Sequence, residues 1–310
     1  MGKRKSSLSG QLADVDLRLL RVFKTVAESG GFTPAEIELN LANSTISNYI
    51  ADLEKRLDMR LCRRGRGGFA LTDHGKLVYE ATQELLAAVD QFRNRLNLSH
   101  ERILGHLHLG FAEHTLGVQR SCIVEALKRY TVKAPDVKVR ISTMASDDVV
   151  PAVLNGRVQI GVTVVHNPVP DLQVMKLFDE QMSLYCGRGH PLFNRSQPVS
   201  ESELRDYKFV ESPRLVPGRE LDPVVSSWNT QTSAHHQEAR AALVLSGHYL
   251  GFLPQHLVRN WGWQAEMQPL LQSRFNYSNT FSALTKPYPE NDLVISTFMD
   301  CLKEAIAETE

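Results

Sequence analysis

Residues 33–57 read TPAEIELNLANSTISNYIADLEKRL, and they decide the fold of the N-terminal part of the chain. Thr33, Pro34 and Glu36 stand in the order of an N-cap, a first helical position and the acid of a capping box. This order predicts a short helix that reaches about Leu41. After a short turn, apolar residues recur at spacings of four, three and four, which predicts a second, amphipathic helix. Two short helices around a tight turn are typical of a helix-turn-helix.

The sequence on either side of this pair completes a winged helix-turn-helix. In residues 15–28, apolar positions recur at spacings of three and four, which predicts a preceding helix. In residues 61–71, two short extended stretches flank a tip rich in glycine and arginine, as in a hairpin. A phosphate-binding nucleotide loop is the alternative, but no Gly-Lys-Ser or Gly-Lys-Thr follows these glycines. We therefore expect Arg64 and Arg66 to contact a phosphate backbone from a wing.

Charge is distributed unevenly along the chain. The 310 residues carry a formal net charge of 0, yet residues 1–66 contain 12 lysines and arginines against 8 aspartates and glutamates. The first 66 residues therefore carry +4 and the remainder −4. This asymmetry favours a polyanionic partner, such as a nucleic acid, for the N-terminal part alone.

Composition excludes several classes of protein. Apolar residues make up 42% of the chain and charged residues 23%, as in ordinary globular domains, so a disordered or fibrous chain is excluded. The apolar runs are far shorter than the roughly 20 residues that cross a bilayer. Residues 1–10 lack the apolar centre of a secretory signal, so we expect a cytoplasmic protein.

Enzyme and metal chemistry find little support in the sequence. The four cysteines lie far apart, and His235 and His236 are adjacent, so neither set predicts a metal site or a disulfide framework. The chain contains no Gly-x-Ser-x-Gly elbow and no Gly-x-Gly-x-x-Gly fingerprint. We expect no enzyme, no cofactor and no metal. A ligand carrier that uses only the C-terminal part is a further alternative, which the helix-turn-helix opposes.

Residues 73–98 contain no proline and predict one long helix. About 26 residues at ~1.5 Å per residue make a rod of about 40 Å. Its apolar residues recur at spacings of three, four and seven, as in a seam between two helices. Packing on its own domain is the alternative, and we favour a seam with a second chain. The predicted dimerisation residues are Val78, Leu85, Val89, Phe92 and Leu96.

From Gly105 onward, strand-like apolar stretches alternate with helical ones. This alternation predicts an α/β region with mostly parallel strands, in which ligands bind at the carboxyl ends of the strands. About 200 residues fit either one large domain or two smaller lobes.

These patterns together resemble the LysR-type transcriptional regulators over essentially the whole chain. In the second half the matches include Gly110–Phe111, Leu154–Gly156 and His190–Leu192. The family's serine N-cap of the recognition helix is Ala42 here, which moves the expected cap to Asn43. In the first half, the matching residues at the family's spacing are Phe23, Val26, Ala27, Glu28, Gly31, Phe32, Thr33, Leu39, Ser44, Ile46, Ser47, Ile50, Leu53, Glu54, Leu57, Leu61, Arg64, Leu71, Thr72 and Gly75.

The resemblance implies a winged helix-turn-helix in residues 1–72, a linker and dimerisation helix in 73–104, and an effector domain in 105–310. The effector domain would have two lobes, like periplasmic binding proteins, with lobe I in about 105–166 and 278–310 and lobe II in about 167–277. Such a protein regulates transcription by binding operator DNA under the control of a small effector between the lobes. The implied partners are a DNA duplex, the effector, a second copy in a dimer and then a tetramer, and RNA polymerase.

DNA contacts are expected at the start of the second helix of the pair, which a helix-turn-helix presents to the major groove. Asn48 can hydrogen-bond an adenine edge, and Thr45 can contact a thymine methyl group. Two roles remain possible for Ser47, a phosphate contact or packing between helices. Thr33 and Pro34 either contact the DNA backbone or form an ordinary helix cap. The expected DNA-binding residues are Thr33, Pro34, Asn43, Ser44, Thr45, Ser47, Asn48, Tyr49, Arg64 and Arg66.

Effector contacts are expected where helices begin at the cleft. His114 and Thr115 precede the first predicted helix of this region, and Ser146 precedes the second. Helix N-termini bind anions through free backbone N–H groups, so we expect an organic anion. An ordinary N-cap is the alternative for Thr115 and Ser146.

Overall fold

The computed structural model describes residues 12–65, 68–96, 103–117, 121–165, 169–211, 225–288 and 292–308. The chain forms two compact units. The first extends to Arg93 and includes Asn155–Arg157, and the second comprises Asn94–Leu154 and Val158–Glu310. Within the described ranges, no helix combines the length and the apolarity needed to cross a membrane.

The first unit is built from three short helices, a hairpin and a long helix. Its elements are α1 (Asp14–Glu28), α2 (Phe32–Leu39), α3 (Asn43–Leu57), β1 (Cys62–Gly65), β2 (Gly68–Leu71) and α4 (Asp73–Leu96). The apolar sides of α1, α2 and α3 meet in one core, where Phe23, Val26 and Ile46 have no solvent contact. β1 and β2 pair antiparallel, with Arg64 opposite Phe69, which confirms the predicted hairpin.

The helix boundaries around the turn differ from the sequence expectation. α2 begins at Phe32, so Thr33 lies inside the first turn and is not the N-cap. Glu36 does not close a capping box, because its carboxylate accepts a hydrogen bond from the backbone N–H of Asn43 across the turn, at 2.5 Å. The cap predicted for Asn43 is also wrong: Ala42 is the N-cap of α3, and Asn43 is its first helical residue.

The second unit contains a mixed sheet with helices packed on it. In the described ranges the order of its strands is β4-β3-β5-β11-β6-β9-β7-β8, with β10 paired to β6. The strands are β3 (Gly105–Ala112), β4 (Val137–Met144), β5 (Ile160–Val164), β6 (Gln173–Gly187), β7 (Lys208–Glu211), β8 (Asn229–Ser233), β9 (Tyr249–Pro254), β10 (Met267–Leu270) and β11 (Asn276–Thr285). The helices are α5 (Cys122–Lys133), α6 (Ser146–Leu154), α7 (Gln237–Leu245), α8 (Gln255–Asn260) and α9 (Leu293–Ala307).

Two long antiparallel strands, β6 and β11, join two lobes of this unit. The first half of β6 pairs with β11 where β11 also pairs with β5, and the second half pairs with β9 and β10. We call β3, β4, β5, α5, α6 and α9 lobe I, and β7 to β10 with α7 and α8 lobe II. Residues 173–178 of β6 pair with the same stretch of β11 that also pairs with β5. The other strands of each lobe pair parallel, apart from the antiparallel β9 and β10 on β6.

Candidate DNA-binding surface and effector cleft

The side of α3 that faces away from the core is polar. Its apolar stripe is almost fully buried, which leaves the opposite side open. Ser44 and Asn48 are exposed there, and Thr45 is half-buried beside them. Because Ser44 and Asn48 are four residues apart, they share one helix face and can contact the same groove of a duplex.

Three other predicted DNA-binding residues of α3 have partners inside the protein. The hydroxyl of Ser47 donates to Oδ1 of Asn43 at 3.3 Å. Tyr49 packs against the core, and the Arg18 guanidinium lies 5.0 Å from its ring centroid. These contacts give Ser47, Asn43 and Tyr49 a structural role in fixing α3.

A groove of about 1220 Å³ runs between α3, the hairpin and the start of α4. It brings Asn48 beside two basic residues, Arg60 and Arg63. Arg60 also pairs with the Glu54 carboxylate at 3.1 Å. The residues lining the groove are Ser47, Asn48, Ile50, Ala51, Glu54, Arg60, Cys62, Arg63, Thr72, Asp73 and His74.

Glu54 fixes the wing to α3. One oxygen of its carboxylate accepts the backbone N–H groups of Leu61 at 2.7 Å and Cys62 at 3.1 Å. On the other side, the Thr72 hydroxyl donates to the Arg60 carbonyl at 2.6 Å. These bonds fix the direction in which the hairpin leaves the core, and sequence periodicity carries no signal for them.

The remaining predicted DNA-binding residues lie at α2 and on the hairpin. Thr33 and Pro34 are exposed in the first turn of α2, whose N-cap Gly31 supplies no side-chain acceptor. The backbone of Arg64 lies in β1, but its side chain and all of Arg66 lie outside the described residues.

The apolar residues of α4 divide into two groups. Val78 and Leu85 are half-buried against the core of their own unit. Phe92 is 61% exposed and Leu77 60% exposed, while Val89 is half-buried. The side chain of Leu96 lies outside the described part of the chain.

In lobe I, the loops after β3 and β4 leave the sheet at one edge, because Ala112 pairs with Met144 in the parallel register. Thr115 does not directly precede a helix of the sheet: it starts a short 3-10 turn, is buried, and donates its hydroxyl to the Ala112 carbonyl. Ser146 is the exposed first residue of α6, and its carbonyl accepts a hydrogen bond from the Thr163 hydroxyl at 3.1 Å.

The loop after β3 contacts lobe II. Nδ1 of His236 lies 2.7 Å from a carboxylate oxygen of Glu113. The ring of His114 packs edge-on against Trp261, with centroids 5.2 Å apart. The Asn260 amide donates to the Gly117 carbonyl at 2.5 Å. The two lobes are therefore in contact at the edge where effector binding was predicted.

Glu180 lies on β6, where the chain crosses between the lobes. It is 5% exposed, and its Oε2 accepts a hydrogen bond from Asn279 on β11 at 3.3 Å. Burial raises the pKa of its carboxyl to about 7, against the smaller opposing effects of the Asn279 bond and the Arg240 charge.

Family models match both units of the chain. A model described as "Bacterial regulatory helix-turn-helix protein, lysR family" matches residues 17–76, and one described as "LysR substrate binding domain" matches residues 100–307. The chain belongs to the LysR family of bacterial transcriptional regulators.

Individual relatives span almost the whole of this LysR-family chain. The HTH-type transcriptional activator BauR of Pseudomonas aeruginosa is 37% identical over 303 residues, which are 97% of this chain and 99% of BauR. CbnR, a LysR family transcriptional regulator of known crystal structure, has a TM-score of 0.62 at 16% identity, covering 94% of this chain and 99% of CbnR. Full-length CbnR complexed with its target DNA gives a TM-score of 0.60 at 17% identity, covering 93% and 99%.

These relatives are transcriptional regulators and not enzymes, as the sequence predicted. This LysR-family member is accordingly a DNA-binding transcriptional regulator with an effector-binding domain. Sequence reasoning found the helix-turn-helix but gave no role to Glu180 or to the pairing of His236 with Glu113. The only signal for Glu180 was an acid inside an otherwise strand-forming stretch, because its partner Asn279 is distant in sequence.

Proposed function

We propose that this regulator reads its operator with Ser44, Thr45 and Asn48. The observation that carries the proposal is the exposed, polar face of α3 beside a groove that contains Arg60 and Arg63. Polar side chains on such a helix reach base edges, and the arginines neutralise phosphates.

The same proposal gives the other predicted DNA-binding residues supporting roles. Thr33 and Pro34 contact the phosphate backbone at the start of α2, and Arg64 and Arg66 do so from the wing. Asn43, Ser47 and Tyr49 act mainly by orienting α3, since each has a partner inside the protein.

A gel-shift series separates base readers from phosphate contacts. Asn48→Ala should reduce the preference for operator over scrambled DNA, because it removes a base contact worth about 1–3 kcal/mol of discrimination. Arg63→Ala should weaken binding to both DNAs and lower the log-log salt slope by about 1. Lys128→Ala, exposed in the second unit, is the control. An Asn48→Ala protein with unchanged preference would contradict the assignment.

We propose that α4 forms a seam with a second copy of the chain. Phe92 and Leu77 support this, because burying these two exposed apolar side chains against a second helix is favourable. The exposed apolar residues Val132 on α5 and Ile141 on the edge strand β4 provide a second surface, through which dimers form a tetramer. Phe92→Asp should shift the sedimentation coefficient toward the monomer, and Arg205→Ala, exposed in the second unit, should not.

We propose an organic anion as the effector, bound between the lobes near His114, Thr115 and Ser146. The backbone N–H groups at the start of α6 favour a carboxylate at this edge. Asp147 and Asp148 lie in the same first turn, so a ligand with only negative charge also meets repulsion there. Ser146→Ala should shift the induction curve about tenfold or more in ligand concentration. Wild-type induction by that variant would place the carboxylate elsewhere.

We also propose that the protein works in the cytoplasm and contacts RNA polymerase when bound to DNA. The domain limits we propose are 1–72 for the winged helix-turn-helix, 73–104 for the linker helix and 105–310 for the effector domain. Within the effector domain, we propose lobe I as 105–166 and 278–310, and lobe II as 167–277.

A further inference from the structure

Glu180 is buried at the point where β6 passes from one lobe to the other. The register pairs it with Asn279 on the return strand β11, so two polar side chains meet between the lobes. Neighbouring Asp179 points outward and pairs with Lys176 at 2.7 Å, as surface carboxylates usually do. Strand alternation therefore places one acid in solvent and the next inside the molecule.

The carboxylate of Glu180 has too few partners for its burial. Its Oε2 accepts the Asn279 amide at 3.3 Å, while its Oε1 is 3.8 Å from Nδ1 of His256, beyond hydrogen-bond distance. Burial lowers the pKa of His256, so its imidazole is neutral near pH 7 and supplies no counter-charge. Among the described residues, no cation lies within ion-pair distance of Glu180 except this histidine when protonated.

Arg240 is a buried cation whose charge acts on Glu180, and its hydrogen bonds go to other groups. Its guanidinium donates to Gln237 Oε1 and to the carbonyls of Phe252 and Ala234, at 3.2–3.3 Å. It is 5% exposed, and its Nε is buried without an acceptor in the described structure. Its charge stabilises the ionised form of Glu180 from a distance, but no ion pair forms. Glu180 and Arg240 are thus two buried groups of opposite charge type, and neither has a full set of partners among the described residues.

A purely structural role does not account for this arrangement. A buried carboxylate that stays ionised needs several hydrogen bonds or an ion pair to offset its lost hydration, and among the described residues Glu180 accepts one long hydrogen bond. Buried ionisable groups with unused bonding capacity at a cleft are characteristic of ligand-binding sites.

We propose that Glu180 is the receptor for a protonated amine of the effector. The ammonium donates to Oε1, the oxygen that accepts no hydrogen bond from the described residues, and neutralises the buried charge. This proposal rests on the effector cleft proposed above and names its ligand class: an amine that also carries the expected carboxylate, a zwitterion of the amino-acid type. Such a ligand also reduces the conflict with Asp147 and Asp148.

The test uses the full-length protein and a matched series of small molecules. The probes are straight-chain ω-amino carboxylates of two to five carbons, the same carboxylates without the amine, and the same amines without the carboxylate. Thermal shift and calorimetry measure binding to the wild type, Glu180→Gln and Asp179→Asn. Asp179→Asn removes the same charge one position along the strand and is the matched control.

We expect at least one amino carboxylate to bind the wild type and Asp179→Asn, with about ten- to a hundredfold weaker binding to Glu180→Gln. The same carboxylate without its amine should bind the wild type at least tenfold more weakly. This comparison uses the wild-type protein alone, so it does not depend on whether a variant folds.

Three results would overturn the proposal. In the first, carboxylates bind equally well with and without an amine, which retains the proposed anion site and rejects the amine receptor. The second is equal binding of an amine to the wild type and Glu180→Gln. The third is binding of no amine in the series. If in addition no probe changes DNA binding, the effector cleft itself is rejected.

Discussion

Replacing Glu180 by glutamine should stabilise the ligand-free protein above neutral pH. The ordinary pKa of 4.5 rises to about 7 in the folded chain because the carboxyl is buried. A change of one in pKa corresponds to about 1.4 kcal/mol, so the ionised carboxylate costs the fold about 3 kcal/mol. Glutamine has nearly the same shape, keeps an acceptor for Asn279 and carries no charge.

The sign follows from the direction of the pKa change. The folded protein binds the Glu180 proton more tightly than the unfolded chain does, so stability falls as pH rises from 4.5 toward 7. The cost is absent below pH 4.5 and complete above pH 7. The Glu180→Gln protein should therefore match the wild type near pH 4.5 and exceed it by about 3 kcal/mol at pH 8. His256 and Arg240 also face this site. Both are present in the wild type and in Glu180→Gln, so to first order their titration cancels in the difference between the two stabilities.

Urea unfolding followed by tryptophan fluorescence measures this difference. All three tryptophans, Trp228, Trp261 and Trp263, belong to the second unit, so the signal reports that unit alone. Asp179→Asn is the control, and its effect should have the opposite sign, because hydrogen bonds from Lys176 and Thr280 lower the pKa of Asp179. A Glu180→Gln protein that is less stable than the wild type at pH 8, or a difference independent of pH, would refute the reasoning.

Three further predictions concern the first unit. Gly75→Ala should destabilise it by at least about 2 kcal/mol in circular-dichroism melts, because a Cβ there would clash with the Leu61 carbonyl oxygen. An unchanged melting temperature would count against this close contact. Asp16→Asn should lower the free energy of unfolding by about 2 kcal/mol at pH 7, since the buried carboxylate accepts two hydrogen bonds from Arg56. In urea unfolding the wild type should lose this stabilisation as pH falls below 3.8, because the pKa of Asp16 is lowered in the folded chain. Equal stability of the two proteins at pH 7 would contradict this role. Glu54→Ala should weaken operator binding at least tenfold by releasing the wing, and unchanged affinity in a gel shift would exclude this role.

The local patterns of the first unit were predictable from sequence, but its tertiary hydrogen bonds were not. Apolar spacing located α3 because the stripe buried in the core repeats at helical intervals. The predicted start of α2 was two residues late, since the helix begins at Phe32. The Phe32 ring packs on Phe69, with centroids 5.8 Å apart, and such a tertiary contact leaves no periodic signal in the sequence. Glu36 likewise bonds to Asn43 across the turn, where a capping box would have kept it local.

The strands that join the lobes were harder to predict than those inside them. The first half of β6 is hard to predict because its residues alternate between exposed and buried positions and include several charges. β11 was missed because its first half, beginning at Asn276, is polar. Glu180 and Asn279 become neighbours only when these two strands pair, so no local pattern reveals the buried carboxylate.

Selection of binding sites from a random duplex library by the full-length protein tests the central claim most directly. The account predicts an enriched motif with two inverted half-sites, since a two-fold dimer presents two copies of α3. In a parallel selection, Asn48→Ala should lose the preference at one position in each half-site and keep the others. Two results would contradict DNA recognition by this face of α3: a selection that enriches no motif, or an Asn48→Ala selection that gives the wild-type motif at every position.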